Sequence, residues 1–363
     1  ISLGRGIAGD KSAAKFGVNY HYDRKTAFDG SDWSERKPGQ PFFAQVHIGE
    51  PHRSFVRSSS LRRNAPIPTC YPEHPVTRAD WANYLATIEV MDRKVGVILD
   101  RLTSEGVRDE TLIFFFGDHG RPHARAKQWL YDGGLHTPLI VSWPGRIKAN
   151  AVETRLASLL DVMPTTLAAA GIDVPQLPGM NLLAKDWRGH EMLFAARDRC
   201  GDAPDRIRSV RTKNFKYIRN YYPEKPYLQL SSYKKLQYPV ETVMKVLHAE
   251  GRWDSLFMAA TRPKEELYDL AADPHEMKNL ANDPAYEKQL GQLRTELDQW
   301  IQATGDDGSI VEPGDVNALM AEKRKWYVQT MKRRGLDPDL SDRAYLKWWK
   351  QELGITDDPT STD

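Results

Sequence analysis

Residues 111–145 read TLIFFFGDHGRPHARAKQWLYDGGLHTPLIVSWPG. The apolar run Leu112–Phe116 is short, rich in aromatic residues and closed by Gly117, which predicts a strand over Thr111–Gly117. A second strand is predicted over Leu139–Trp143, ahead of the Pro144-Gly145 turn. Three consecutive phenylalanines leave no polar face, so the first strand is expected to be buried on both sides, as in a parallel sheet. Asp118 and His119 then arrive together at its carboxyl end, where α/β proteins gather their ligands. The connection that follows holds Arg121, His123, Arg125 and Lys127. So basic a loop, starting beside a carboxylate and an imidazole, points to an anion held next to a metal ion.

Working outward, Phe42–Ile48 reads as a buried strand stopped by Gly49 and Pro51, which puts His52 just past a strand end. An Arg-, Ser- and Pro-rich crossing over residues 54–75 leads to Thr77 and Asp80, a plausible helix-opening box. The apolar stripe Trp81, Tyr84, Leu85, Ile88, Met91, Val95, Ile98, Leu99 and Leu102 continues that helix to Gly106. A further helix is expected over Leu156–Ala170, with Asp161 and Pro164 near its start. Strands alternating with helices predict an α/β unit with a mainly parallel sheet flanked by helices. After about Asp205 the pattern changes to short strands, IRSVRT and FKYIRNYY, turning at Lys213-Asn214, so a smaller antiparallel α+β subdomain is expected. The expected division is 1–204, 205–320 and a charged, aromatic helical tail at 321–363.

Bulk properties narrow the function. Fifty-one basic residues against forty-nine acidic ones give +2, which does not argue for nucleic acid as a partner. Two cysteines cannot build a disulfide framework, and no apolar segment approaches the length of a membrane span. Ten tryptophans and fifteen tyrosines would suit sugar stacking, although ordinary packing accounts for most such residues.

The GDHG motif, the lysine nine positions after its aspartate and the following YDGGLHTPLIVSWPG resemble the distal active-site segment of the sulfatase family. PFFAQVHIGEPHRSF and NYLATIEVMDRKVGVILDRL resemble two further segments of that family. RIRSVRTKNFKYIRNYY and EELYDLAADPHEMKNLAND resemble its carboxyl-terminal subdomain, in the manner of heparan N-sulfatase and bacterial carbohydrate sulfatases. The resemblance implies an alkaline-phosphatase-like fold and hydrolysis of sulfuric esters or sulfamates of a sulfated oligosaccharide or polysaccharide. It implies Asp118 and His119 as ligands of Ca2+, while the residue types alone leave zinc open. It also implies Lys127 as the charge that receives a sulfate oxygen and His52 as general acid, an imidazole being suited to proton transfer near neutrality. His123 and Arg208 are candidate substrate contacts. The family's relatives suggest a periplasmic or extracellular location in bacteria and a lysosomal one in animals.

One departure matters. The family's nucleophile, formylglycine made from the first residue of C-x-P-S-R, and its metal-binding aspartate pair have no counterpart, so the chain is expected to lack the amino-terminal part of the catalytic domain. Cys70, in CYPEH, lacks the Ser-Arg and falls after His52 rather than before it. His136 and Cys200 read as packing residues, while Arg199 and Arg206 could line an anion subsite. Two other functions fit the residues: a zinc phosphohydrolase of the same superfamily, and a sugar-binding protein without catalysis.

Overall fold

A computed structural model describes residues 2–5, 30–58, 64–200, 202–308 and 316–355. Strands β1 (Ser2–Arg5) and β2 (Phe42–Gln45) pair in parallel, Ser2 opposite Phe42. The long helix α1 (Pro75–Ser104) begins two residues ahead of the Thr77 expected, because His74 caps it. The His74 Nδ1 accepts the Val76 amide at 3.1 Å, and Pro75 presets the first helical φ. Asp80 is drawn away from capping by Arg53, as described below. Gly106, at φ +70°, ends the segment where the sequence placed the stop.

β3 (Ile113–Phe116), α2 (Asp132–Leu135) and β4 (Leu139–Ser142) follow. Here the sheet departs from expectation, since β3 and β4 run antiparallel with Ile113 opposite Ser142. Among the described residues, only β1 and β2 pair in parallel. Nor is β3 buried on both faces: Phe116 is 43% exposed, because no third strand bonds to the pair among the described residues. The Asp118–Gly134 loop folds tightly on itself. The Gly120 amide donates to the Gly134 carbonyl at 2.8 Å, and a Cβ at Gly120 would lie 2.0 Å from the Gly133 oxygen, so only glycine fits there.

α3 (Val162–Ala169) continues from a 3-10 turn, Leu159–Asp161, opened by a capping box in which the Ser158 amide donates to Asp161 at 2.8 Å. A four-stranded antiparallel meander then forms from β5 (Leu193–Cys200), β6 (Ala203–Arg211) and β7 (Phe215–Asn220), completed later in the chain by β8 (Glu265–Asp269). This sheet starts at Leu193, ahead of the expected change near Asp205. Between β7 and β8 lie α4 (Ser232–Gln237) and α5 (Pro239–Ala249), hidden in a stretch that reads as Tyr-, Lys- and Pro-rich. α6 (Glu287–Thr304) covers one sheet face, burying Leu290, Leu293 and Leu297 against Val210, Tyr217 and Leu267. Each such leucine contributes roughly 1.5–3 kcal/mol by leaving water. The last described stretch forms α7 (Val316–Arg333) and α8 (Asp342–Glu352), with α7 beginning ahead of the boundary expected at 321. Tyr327, Met331, Tyr345 and Trp349 from these helices pack on Val243 and Leu247 of α5. Among the described residues no helix is long and apolar enough to cross a membrane.

Candidate active site

His52 is exposed and follows β2. Its Nδ1 lies 2.5 Å from the Arg53 carbonyl, a contact that requires Nδ1–H as donor and leaves proton exchange to Nε2. Arg53 fixes this segment from beneath. Its guanidinium donates twice to Asp80 of α1, at 2.7 and 2.6 Å, and once through Nε to the Pro122 carbonyl at 2.8 Å. Both charged side chains are almost fully buried, 5% and 3% exposed. Fork-to-carboxylate pairing of this kind is directional, so Arg53 ties the His52 turn to α1 and to the loop that carries Lys127.

Lys127 comes near the same place. Its Nζ lies 5.4 Å from the ring centre of Tyr233, and the His52 ring lies 6.1 Å from that same ring. Tyr233 belongs to α4, far along the chain from both, and no pattern in the sequence marked it. Beside it stands Lys234, 4% exposed, with its ammonium 5.0 Å from the Trp129 ring. Burial first, and then the charge of Arg197, pushes the Lys234 pKa down to about 8. The Arg197 guanidinium sits 4.5 Å from the same Trp129 ring, 7% exposed, with Nε and Nη1 lacking hydrogen-bond partners. The neighbouring carboxylates are shared: Arg262 holds Asp205 at 2.9 and 2.8 Å while Arg197 Nη2 lies 3.7 Å from it, and Lys245 holds Glu241 at 3.2 Å. The Lys127 side therefore gathers several positive side chains.

Asp118 and His119 form a second pair. The Asp118 carboxylate is 85% exposed, and its Oδ2 lies 3.7 Å from His119 Nε2. His119 Nδ1 contacts the Gly120 carbonyl at 2.8 Å, so it carries the proton and turns the Nε2 lone pair to ligation. A carboxylate oxygen and an imidazole nitrogen so close suit part of a divalent shell. Among the described residues, no group of three or more His, Cys, Asp or Glu could hold a metal ion, so this pair would be part of a larger set.

Two expected substrate contacts lie in the interior. His123 is 1% exposed, enclosed by the rings of Phe55, Tyr71, Trp81 and Tyr84 at 5.0–6.0 Å between centroids. Its Nε2 is 3.3 Å from Asp80, but neither ring nitrogen has a well-formed hydrogen bond. Burial pushes its pKa down to about 4 against the pull of Asp80. It packs the wall behind Arg53 rather than facing solvent. Arg208, 2% exposed on β6, is held by Asp198 at 2.8 Å and by Asp306 at 2.7 Å, leaving little of it for a ligand. Cys70 is 3% exposed and burial pushes its thiol up, which opposes the thiolate a nucleophile needs. His136, expected as a packing residue, is instead exposed, with its Nδ1 3.9 Å from Asp132. Arg206 stacks on Tyr221 at 4.1 Å and donates to the Asp306 carbonyl at 3.2 Å.

The loop is anchored to the antiparallel sheet by its acidic residue. Lys216, fully buried on β7, bonds Asp132 at 2.5 Å and Glu276 at 2.8 Å, and Arg211 adds a contact to Asp132 at 3.0 Å. Burial pushes the Asp132 carboxyl up, but Lys216 and Arg211 outweigh it and hold the group at about 2.

The sulfatase family model matches residues 5–172, and the model described as "N-sulphoglucosamine sulphohydrolase, C-terminal" matches residues 117–242. An ulvan-active sulfatase of Formosa agariphila is 38% identical over 258 residues, 70% of this chain and 43% of that protein. The N-sulphoglucosamine sulphohydrolase of Homo sapiens is 30% identical over 322 residues, 74% of this chain and 62% of the relative. The chain thus spans 43% and 62% of those relatives' lengths. The yidJ protein of Bacteroides fragilis shares the fold, with a TM-score of 0.54 at 20% identity over 74% of this chain and 56% of its own.

Proposed function

Because the chain belongs to the sulfatase family, we propose that it carries the distal half of a sulfuric ester or sulfamate hydrolase acting on sulfated carbohydrate. The observation that carries this reading is the meeting of His52 and Lys127 at one ring, Tyr233. In the proposed reaction the Lys127 ammonium pairs with a sulfate oxygen and offsets the charge that grows on it as the bond to sulfur breaks. Protonated at Nε2, His52 gives its proton to the departing oxygen or nitrogen, a role typically worth 10²–10⁴ in rate. The carbonyl of Arg53 orients that imidazole, and Asp80 orients Arg53. Asp118 and His119 would hold a divalent cation, Ca2+ on family grounds, and such an ion supplies a Lewis acid for the sulfate oxygens. The formylglycine nucleophile is not among these residues, and Cys70 does not fit it. A periplasmic, extracellular or lysosomal setting follows only from the family.

The test is release of inorganic sulfate from sulfated polysaccharide, with phosphate esters as the comparison, by protein that contains this sequence and a formylglycine. Loss of sulfate release in Lys127→Ala with an unchanged melting temperature supports the reading. Preferential hydrolysis of the phosphate ester would overturn it.

A further inference from the structure

The same loop walls a cavity of about 190 Å3 lined by Cys70, Arg121, Arg125, His136, His275 and Glu276. Its charges do not balance. Of the two carboxylates at the wall, Asp132 and Glu276, both are engaged by Lys216, and Asp132 also by Arg211. Two cations therefore cancel two anions and leave Arg121 and Arg125 over. Arg125, 3% exposed, donates to the main-chain carbonyls of His275, at 3.3 Å, and Glu276, and lies 4.0 Å from the Tyr131 ring. Among the described residues Arg121 meets the Tyr71 hydroxyl, 3.2 Å from its Nε, the Tyr71 ring at 5.7 Å, and the Cys70 sulfur, 3.9 Å from Nη2. Among the described residues no carboxylate pairs with it. Glu266, the next acid inward, accepts from the neutral donors Tyr131, Tyr227, Tyr268 and Asn220 at 2.6–2.8 Å, so its charge acts on Arg125 and Arg121 is the cation left without a carboxylate.

A guanidinium withdrawn from water without a counter-ion is costly, by several kcal/mol per ion. The volume exceeds that of several waters at about 30 Å3 each, so a sulfate-sized ion fits. We propose that this cavity is a second anion site, taking a small tetrahedral oxyanion, sulfate or phosphate, against the forked face of Arg121 with Arg125 behind it. The site is distinct from the Lys127 side and does not depend on the hydrolase reading.

Titration calorimetry of the chain with sodium sulfate and sodium phosphate, at ionic strength held constant with chloride, tests it. Saturable binding is expected, weakened at least about tenfold in Arg121→Gln because a bidentate charged contact is lost, and retained in Lys127→Ala. The relative strength of the two oxyanions identifies the preferred ligand. Absence of saturable binding overturns the proposal, as does binding abolished by Lys127→Ala and kept in Arg121→Gln. Should Arg121→Gln fail to fold, Arg121→Lys keeps the charge without the fork and is expected to bind more weakly. Selenate-soaked wild-type crystals decide independently: an anomalous peak beside Arg121 supports the site, and a cavity without one refutes it.

Discussion

Replacing His123 with phenylalanine separates a packing role from a ligand-binding one. The imidazole is shut in by four aromatic rings, and burial brings its pKa from 6.5 to about 4. The unfolded chain therefore takes up this proton more readily than the folded chain between pH 6.5 and 4. Stability is full above pH 6.5 and falls as pH drops through that window. The complete shift corresponds to about 3 kcal/mol, and to about 2 kcal/mol between pH 7 and 4.5. Phenylalanine has nearly the same shape and no proton to bind, and it removes two ring nitrogens that lack good hydrogen bonds. At pH 7 His123→Phe should change stability by less than about 1.5 kcal/mol. In urea unfolding followed by circular dichroism, wild type should lose about 2 kcal/mol more than the variant on going from pH 7 to 4.5. Parallel pH profiles would refute the reasoning, and an imidazole that titrates near 6.5 by nuclear magnetic resonance would show that His123 is not enclosed.

The remaining expectations concern charges. Asp80→Asn leaves the Arg53 guanidinium buried beside a neutral amide and should cost about 3–5 kcal/mol in urea unfolding, whereas a loss below 1 kcal/mol would mean the pair is solvated. Lys234→Met removes a buried ammonium whose pKa in the fold is about 8 against 10.5 unfolded. The folded state binds this proton more weakly, so the penalty is present in full below pH 8 and fades by pH 10.5. The methionine variant should gain roughly 2–3 kcal/mol at pH 7 and much less at pH 10. Asp118→Asn should weaken divalent-ion binding to the formylglycine-containing protein at least tenfold by calorimetry, with an unchanged melting temperature of the metal-free form, since the side chain is 85% exposed. Equal ion affinity in the two proteins would remove Asp118 from the metal shell.

Local signals in the chain fixed much of this molecule. The helical stripe to Gly106, the strand before Gly117, the Lys213-Asn214 turn and the charged, aromatic tail are each written in neighbouring residues, and periodicity and glycine chemistry act over that short range. The GDHG motif likewise brings Asp118 and His119 together because they are adjacent, and the spacing to Lys127 marked the loop. Tertiary packing decided the rest. Spacing along a polar loop cannot say which basic side chain turns inward, so His123 reads like Lys127 until Asp80 and four rings from other segments enclose it. Arg208 reads as a candidate substrate contact until Asp198 and Asp306 close on it. Strand direction depends on which backbone edges meet, and so β3 and β4 are antiparallel where alternation of strands and helices predicted parallel pairing. Tyr233 is an ordinary tyrosine in a lysine-rich stretch, and only the chain's return through α4 brings it near both His52 and Lys127. Burial and charge balance are sums over distant segments, and no window of sequence contains them.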